Sequence, residues 1–363
     1  MSTAEDWAYV VQYMVIDVLA QSVARGPDRP LFDFDGDIYT YHDVEMLTNR
    51  VANALAELGV RPGDTVTSML DNNIDAALTW LAANKLGAIS VPLNTALKGD
   101  FLRHQIADAG STLMICESEY VERVVAVAHE TPRLKLLLHR GTLELHPDTS
   151  LSIETLNRCR NGDPTPITYR PKPSDLSALI YTAGTTGPSK GCMISFNYIV
   201  HLARQKLHYN PATENDVTLT PLPLFHLNAL ASGITTTMIT GGKIAITPRF
   251  SVSRFWPEVE RSGATIASIL GSMGVLLAHA PDNDAMKRCY GRLHTIRGNP
   301  FAEHIKKIWR ERFGAKRVAS MDYGLTEAAV VTGVDGGERV APGSSGRRLP
   351  AFDVSIFDDN DRE

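Results

Sequence analysis

The run Tyr181-Thr-Ala-Gly-Thr-Thr-Gly-Pro-Ser-Lys-Gly191 holds three glycines, three threonines and one lysine within eleven residues. Glycines let backbone N–H groups turn toward an anion with no Cβ in the way. Threonine hydroxyls add donors, and a lysine at the end supplies a point charge for phosphate oxygens. The run follows directly on the strand-like stretch Leu176-Ser-Ala-Leu-Ile180. A Gly-rich surface turn is the plain alternative, but such turns rarely join a buried strand to so many phosphate-suited donors. A Walker A loop does not fit, because it needs Gly-Lys followed by Ser or Thr. Here Lys190 lies between Ser189 and Gly191. The residues therefore predict a phosphate loop of a different kind.

Three later segments carry chemistry of a related sort. Pro221-Leu-Pro-Leu-Phe-His226-Leu-Asn-Ala presents an imidazole, which on its own is more often a packed structural histidine. Ile296-Arg-Gly298-Asn-Pro300 is a tight turn before a helix, and a simple helix start with Pro300 near its first position explains it equally well. Met321-Asp-Tyr323-Gly-Leu-Thr326-Glu327 sets a flat aromatic ring beside a hydroxyl and a hard carboxylate oxygen. Those groups suit a base, a phosphate and a magnesium ion.

Together and in this order, the four segments resemble the adenylate-forming enzymes, a superfamily of acyl-CoA synthetases, luciferases and peptide-synthetase adenylation domains. The family loop reads Tyr-Thr-Ser-Gly-Thr-Thr-Gly-x-Pro-Lys-Gly. This chain departs from it in Ala183, which removes one hydroxyl, and in Pro188-Ser189. Val91-Pro-Leu-Asn-Thr95, Asp108-Ala-Gly110 and Gly343-Ser-Ser-Gly346-Arg347 look like further family segments. Phe225–Ala229 and Arg249–Trp256 look most like crotonobetaine/carnitine–CoA ligases.

The resemblance implies an ATP-dependent carboxylic acid–CoA ligase that forms an acyl-adenylate and then a thioester, with ATP, Mg²⁺ and coenzyme A as the small molecules used. It places Thr182, Ala183, Gly184, Thr185, Thr186, Gly187 and Lys190 around the phosphates. Gly298, Asn299 and Pro300, with Asp322, Tyr323, Gly324 and Thr326, would complete the nucleotide site. His226, Leu227, Asn228, Gly298, Gly324 and Leu325 would border the acid, with His226 as a gate. Lys190, His226, Thr326 and Glu327 are the residues expected to serve catalysis, and Glu327 is the expected magnesium ligand. Small residues at several of these sites hint at room for a bulky acid. A domain loading a carrier-protein thiol, or a non-catalytic nucleotide-binding module, are the competing readings. The family pattern also implies roughly a hundred further residues, the size of a small domain, holding a ribose-binding aspartate and an adenylating lysine. Residues 1–363 thus read as the N-terminal part.

The elements that must hold these segments read as α/β. Strand-, helix- and strand-like runs alternate with short turns, as in right-handed parallel crossovers. Phe32–Tyr41 predicts a hairpin turning at Asp35-Gly36, and Tyr41–Leu58 has apolar residues at helical spacing closed by Gly59. The expected fold is an acyl-CoA synthetase-like large domain of helix-covered, mostly parallel sheets with a small β subdomain toward the C-terminus. The expected division is residues 1–170, 171–340 with the site, and 341–363 as the start of a β segment. A hydrophobic share of 44%, a charged share of 21% and a net charge of −5 fit an ordinary globular chain and give no support for nucleic acid as a partner. The expected partner is a small carboxylic acid, and a homodimer is one candidate assembly. No run of about 18 apolar residues occurs, so no membrane span is expected. Four scattered cysteines and an acidic start point to the cytoplasm.

Overall fold

In the computed structural model, the residues described are 13–144, 148–182, 187–298, 300–318, 322–334, 341, 344–350 and 352–363. The chain opens with a helix, Val15–Arg25, and then the hairpin of β1 (Pro30–Phe34) and β2 (Asp37–Thr40). Asp35 and Gly36 both take positive φ, 55° and 108°, as a two-residue turn that follows strand twist requires. The buried Asp33 carboxylate caps that turn from Gly36 N–H at 3.0 Å and pairs with Arg261 at 2.9 Å.

The helix Tyr41–Glu57 begins at a Thr40/Asp43 capping box. After it come β3 (Thr65–Met69), β4 (Ile89–Pro92), β5 (Leu113–Glu117), β6 (Leu136–Arg140) and β7 (Ser152–Thr155). With β8 (Leu176–Thr182) and β9 (Lys190–Ser195) they form a seven-stranded sheet in the order β7-β6-β5-β3-β4-β8-β9. All its neighbours are parallel except β8 and β9. Parallel strands buried on both faces by helices read as near-continuous apolar runs, as β5 does with all five residues buried.

The second sheet collects β10 (Val217–Thr220), β11 (Lys243–Ile246), β12 (Ile266–Ser268), β13 (Thr295–Arg297) and β14 (Arg317–Val318). Its order is β14-β13-β12-β10-β11-β1-β2, so the N-terminal hairpin closes one edge, with Phe32 opposite Ile244. Sheet membership therefore crosses position 170 in both directions: β1 and β2 join the later strands, and β8 and β9 join the earlier ones. A small antiparallel sheet of β15 (Tyr323–Leu325), β16 (Ala329–Gly333) and β17 (Arg347–Arg348) follows. The α/β class, the mostly parallel sheets and the small β unit all match the expectation from sequence.

One helical segment departs from ordinary geometry. Ala229–Thr235 is a π-helix, with Thr235 Oγ1 donating to Leu230 O at 2.9 Å. Its wider turn leads into the helix Thr236–Thr240, and its small residues pack against the apolar interior.

Candidate active site

A cavity of about 350 Å³ opens where the second sheet, the small sheet and the helix Phe196–Tyr209 meet. Ser268, Ile269 and Leu270 enter it from the C-terminal end of β12, and Arg297 and Gly298 from that of β13. Carboxyl ends of parallel strands are where open α/β sheets take ligands. The helix Phe196–Tyr209 offers Leu202 and Lys206, four residues apart and so on one face, with Asn210 just beyond its end. Leu227, Asn228 and Ser232 line the side of the π-helix, and Asp322, Gly324, Leu325, Thr326, Ala329 and Val330 that of the small sheet.

The cavity thus gathers seven of the residues expected from sequence: Leu227, Asn228, Gly298, Asp322, Gly324, Leu325 and Thr326. His226, Pro300 and Tyr323 stand beside it, exposed, and do not line it. The His226 ring rests on Phe225, with centroids 4.5 Å apart, and desolvation lowers its pKa although the residue is exposed overall. Ala183, Gly184, Thr185, Thr186 and Asn299 lie outside the described residues.

The two ends of the phosphate-type loop are described, and both are fixed to the helix Gly99–Ala109. Tyr181 Oη donates to Asp108 Oδ2 at 2.6 Å, and burial together with this bond drives the phenol pKa up. Ser189 bonds to the same helix through Gln105 Nε2 at 2.9 Å and His104 Nε2 at 2.8 Å. The loop is the connection of an antiparallel hairpin, since Thr182 of β8 faces Lys190 of β9. Gly187 and Lys190 are exposed.

Segments far apart in the chain meet at this point. Thr182 Oγ1 donates to Glu327 Oε1 at 3.3 Å across 145 positions. Tyr198 Oη donates to Thr326 O at 2.7 Å, and Lys206 pairs with Asp322. Val330 N–H donates to Gln205 Oε1 at 3.2 Å. The helix Phe196–Tyr209 therefore holds the Asp322–Val330 segment in place. Among the described residues no group of three His, Cys, Asp or Glu side chains could hold a metal ion. Glu327 presents an exposed carboxylate beside Thr182, which fits a cation completed by water and phosphate oxygens rather than by a protein cage.

Sequence reasoning missed Leu202, Lys206, Asn210, Ser232, Ser268, Ile269, Leu270, Arg297, Ala329 and Val330. Arg297 lay inside the recognised segment Ile296–Pro300 without being given a role, because an arginine ending a three-residue strand carries no local sign of burial.

A profile of the AMP-binding enzyme family matches residues 19–363. The chain belongs to that family. Among relatives of this AMP-binding enzyme, 4-coumarate–CoA ligase 3 of Arabidopsis thaliana is 27% identical over 300 residues, covering 82% of this chain and 52% of that protein. Crotonobetaine/carnitine–CoA ligase of Escherichia coli O157:H7 is 27% identical over 334 residues, 89% of this chain and 62% of the relative. The chain spans about half to three-fifths of the length of these curated relatives. Two solved structures share the fold. The anthranilate CoA ligase AuaEII in complex with anthranoyl-AMP superposes with a TM-score of 0.86 at 21% identity, over 97% of this chain and 67% of that one. The N-terminal domain of FACL13 from Mycobacterium tuberculosis gives 0.83 at 22% identity, over 96% and 85%. No helix among the described residues is long and apolar enough to cross a membrane.

Proposed function

We propose that the chain is the nucleotide- and acid-binding part of an AMP-forming carboxylic acid–CoA ligase, working on a small carboxylic acid in the cytoplasm. The observation that carries the reading is the bond from Thr182, where the Tyr181–Gly191 segment begins, to Glu327, whose neighbour Thr326 lines a cavity shared with Leu227 and Asn228. The matched relatives named as acid–CoA ligases support the same reaction class.

In that reaction a carboxylate oxygen bonds to the α-phosphorus of ATP, the bond to pyrophosphate breaks, and acyl-adenylate remains. A thiol then attacks the acyl carbon and AMP leaves. The protein's task in the first step is to bring two anions together and offset their repulsion. Lys190 lies at the end of the loop, where its ammonium can meet phosphate oxygens. Thr326 lines the cavity and offers a hydroxyl, while Tyr198 fixes its backbone. A magnesium ion at Glu327 would neutralise charge on the phosphates. Tyr323 has an exposed ring suited to cover a purine face.

Titration calorimetry with Mg-ATP tests the assignment. Lys190→Ala and Glu327→Ala should each weaken binding by about tenfold or more, the scale of one lost charge-assisted contact. Unchanged affinity in both variants refutes the site.

A further inference from the structure

One cation in the cavity has no counter-charge in contact with it among the described residues. Arg297 is 7% exposed and lines the cavity at the end of β13. Its guanidinium donates to two neutral carbonyls, Asn210 O at 2.9 Å and Ser232 O at 3.5 Å. Its Nε has no partner among the described residues, and neither has Ser232 Oγ, which is 3% exposed on the same wall. Two residues 65 positions apart thus line one cavity, each with a buried polar atom that has no partner among the described residues. Burial pulls the arginine pKa down to about 10, which still leaves it charged near neutrality.

The other charges nearby are already committed. Asp322, the one carboxylate among the described lining residues, pairs with Lys206. Asp216, whose charge reaches Arg297 only at a distance, accepts from Thr213, Thr265 and His294. A buried guanidinium satisfied only by neutral carbonyls is costly, and so is an unpaired buried hydroxyl. Both costs fall if the missing partner arrives with the ligand. The planar fork of arginine matches a carboxylate above other anions.

We propose that Arg297 and Ser232 determine acid specificity by receiving a second, anionic group of the substrate, so that the acid activated here carries a carboxylate at its far end. The proposal rests on the acid site assigned above. An acid with a cationic far end would be repelled by the same arginine, and a purely aliphatic one would leave both groups unpaired.

The test uses stable acyl-adenylate mimics, 5′-O-(N-acylsulfamoyl)adenosines, whose acyl groups run from succinyl to adipoyl. Each is matched with a branched alkyl acyl group of the same heavy-atom count and with the ω-amide. Calorimetry on this chain should show the ω-carboxylate binding about tenfold or more tighter than both partners at one or more lengths. Arg297→Met should bring that ratio close to one, and Ser232→Ala should reduce it in part. If Arg297→Met does not fold, Arg297→Lys and Ser232→Ala carry the comparison, with wild type as the decisive arm. Equal or tighter binding of the alkyl or amide partner at every length overturns the proposal while leaving the adenylate site standing. Failure of all the mimics to bind overturns it together with the proposed function.

Discussion

Gly298 offers a sharp test of how the cavity wall is built. A Cβ placed on it would lie 2.3 Å from the carbonyl oxygen of Ile269, nearer than the 3.0 Å limit of real Cβ contacts. The obstacle is backbone, so no side chain can swing aside, and β13 must retreat from β12 by about 0.7 Å. That movement stretches the bond from Ile269 N–H to Arg297 O, now 2.9 Å, to the edge of hydrogen bonding. Overpacking of this kind costs about 1–3 kcal/mol and the weakened bond about 1 kcal/mol more. Reduced freedom of the unfolded chain returns about 0.4–1 kcal/mol, since the glycine needs no positive φ. Gly298→Ala should therefore lower stability by about 1–3.6 kcal/mol in urea unfolding. Gly233→Ala is the control. Its Cβ would meet only the Ile244 Cδ1 methyl at 3.2 Å, a side-chain end that can give, so its cost should stay within about 0.5 kcal/mol of zero. The Gly298 variant should also weaken Mg-ATP binding, because Gly298 lines the cavity and is itself one of the residues assigned to the nucleotide. Equal stability of the two variants, with unchanged ATP affinity in both, would refute the reasoning.

Two further outcomes follow from the same contacts. Tyr198→Phe removes the bond to Thr326 O and should cost about 1 kcal/mol in stability with a measurable fall in Mg-ATP affinity by calorimetry; an affinity equal to wild type would show that Tyr198 does not position Thr326. Burial raises the pKa of Asp216, but bonds from Thr213, Thr265 and His294 outweigh that effect and hold the carboxyl below its ordinary value. The stability it adds is present above the unfolded carboxylate pKa of about 3.9 and is lost as pH falls through the lower folded value. Acid-unfolding curves of wild type and Asp216→Asn should therefore converge below about pH 4, and parallel curves across that window would contradict the assignment.

The parts legible in the sequence were those written in contiguous residues. The strand-like run Leu176–Ile180 behind β8 announced itself, and so did the Asp35-Gly36 turn. The loop, Thr326 and Glu327 were read from short motifs because their chemistry lies in local spacing. What escaped was set by distant contacts. β9 begins at Lys190, inside what reads as a loop, and only pairing with β8 makes it a strand. β13 has three residues, too few for a periodic pattern. The π-helix is a run of small residues and threonines whose geometry follows from packing rather than from propensity. The placement of β1 beside β11 joins residues more than two hundred positions apart, a pairing that no local signal encodes.

The distribution of positive charge follows from these same contacts, and it divides the site into two parts with different freedom. Lys190 is exposed at the end of a hairpin loop and has room to follow the phosphates. Lys206 is held by Asp322, so its charge is already balanced. Arg297 is fixed by two backbone carbonyls under a π-helical turn and cannot move without breaking both bonds. A mobile cation suits a group that changes charge and position during reaction, as a triphosphate losing pyrophosphate does. A fixed one suits recognition of a group that stays unchanged. On the proposed reading, substitutions at Lys190 should therefore weaken all acids alike, and those at Arg297 should change the ranking among them.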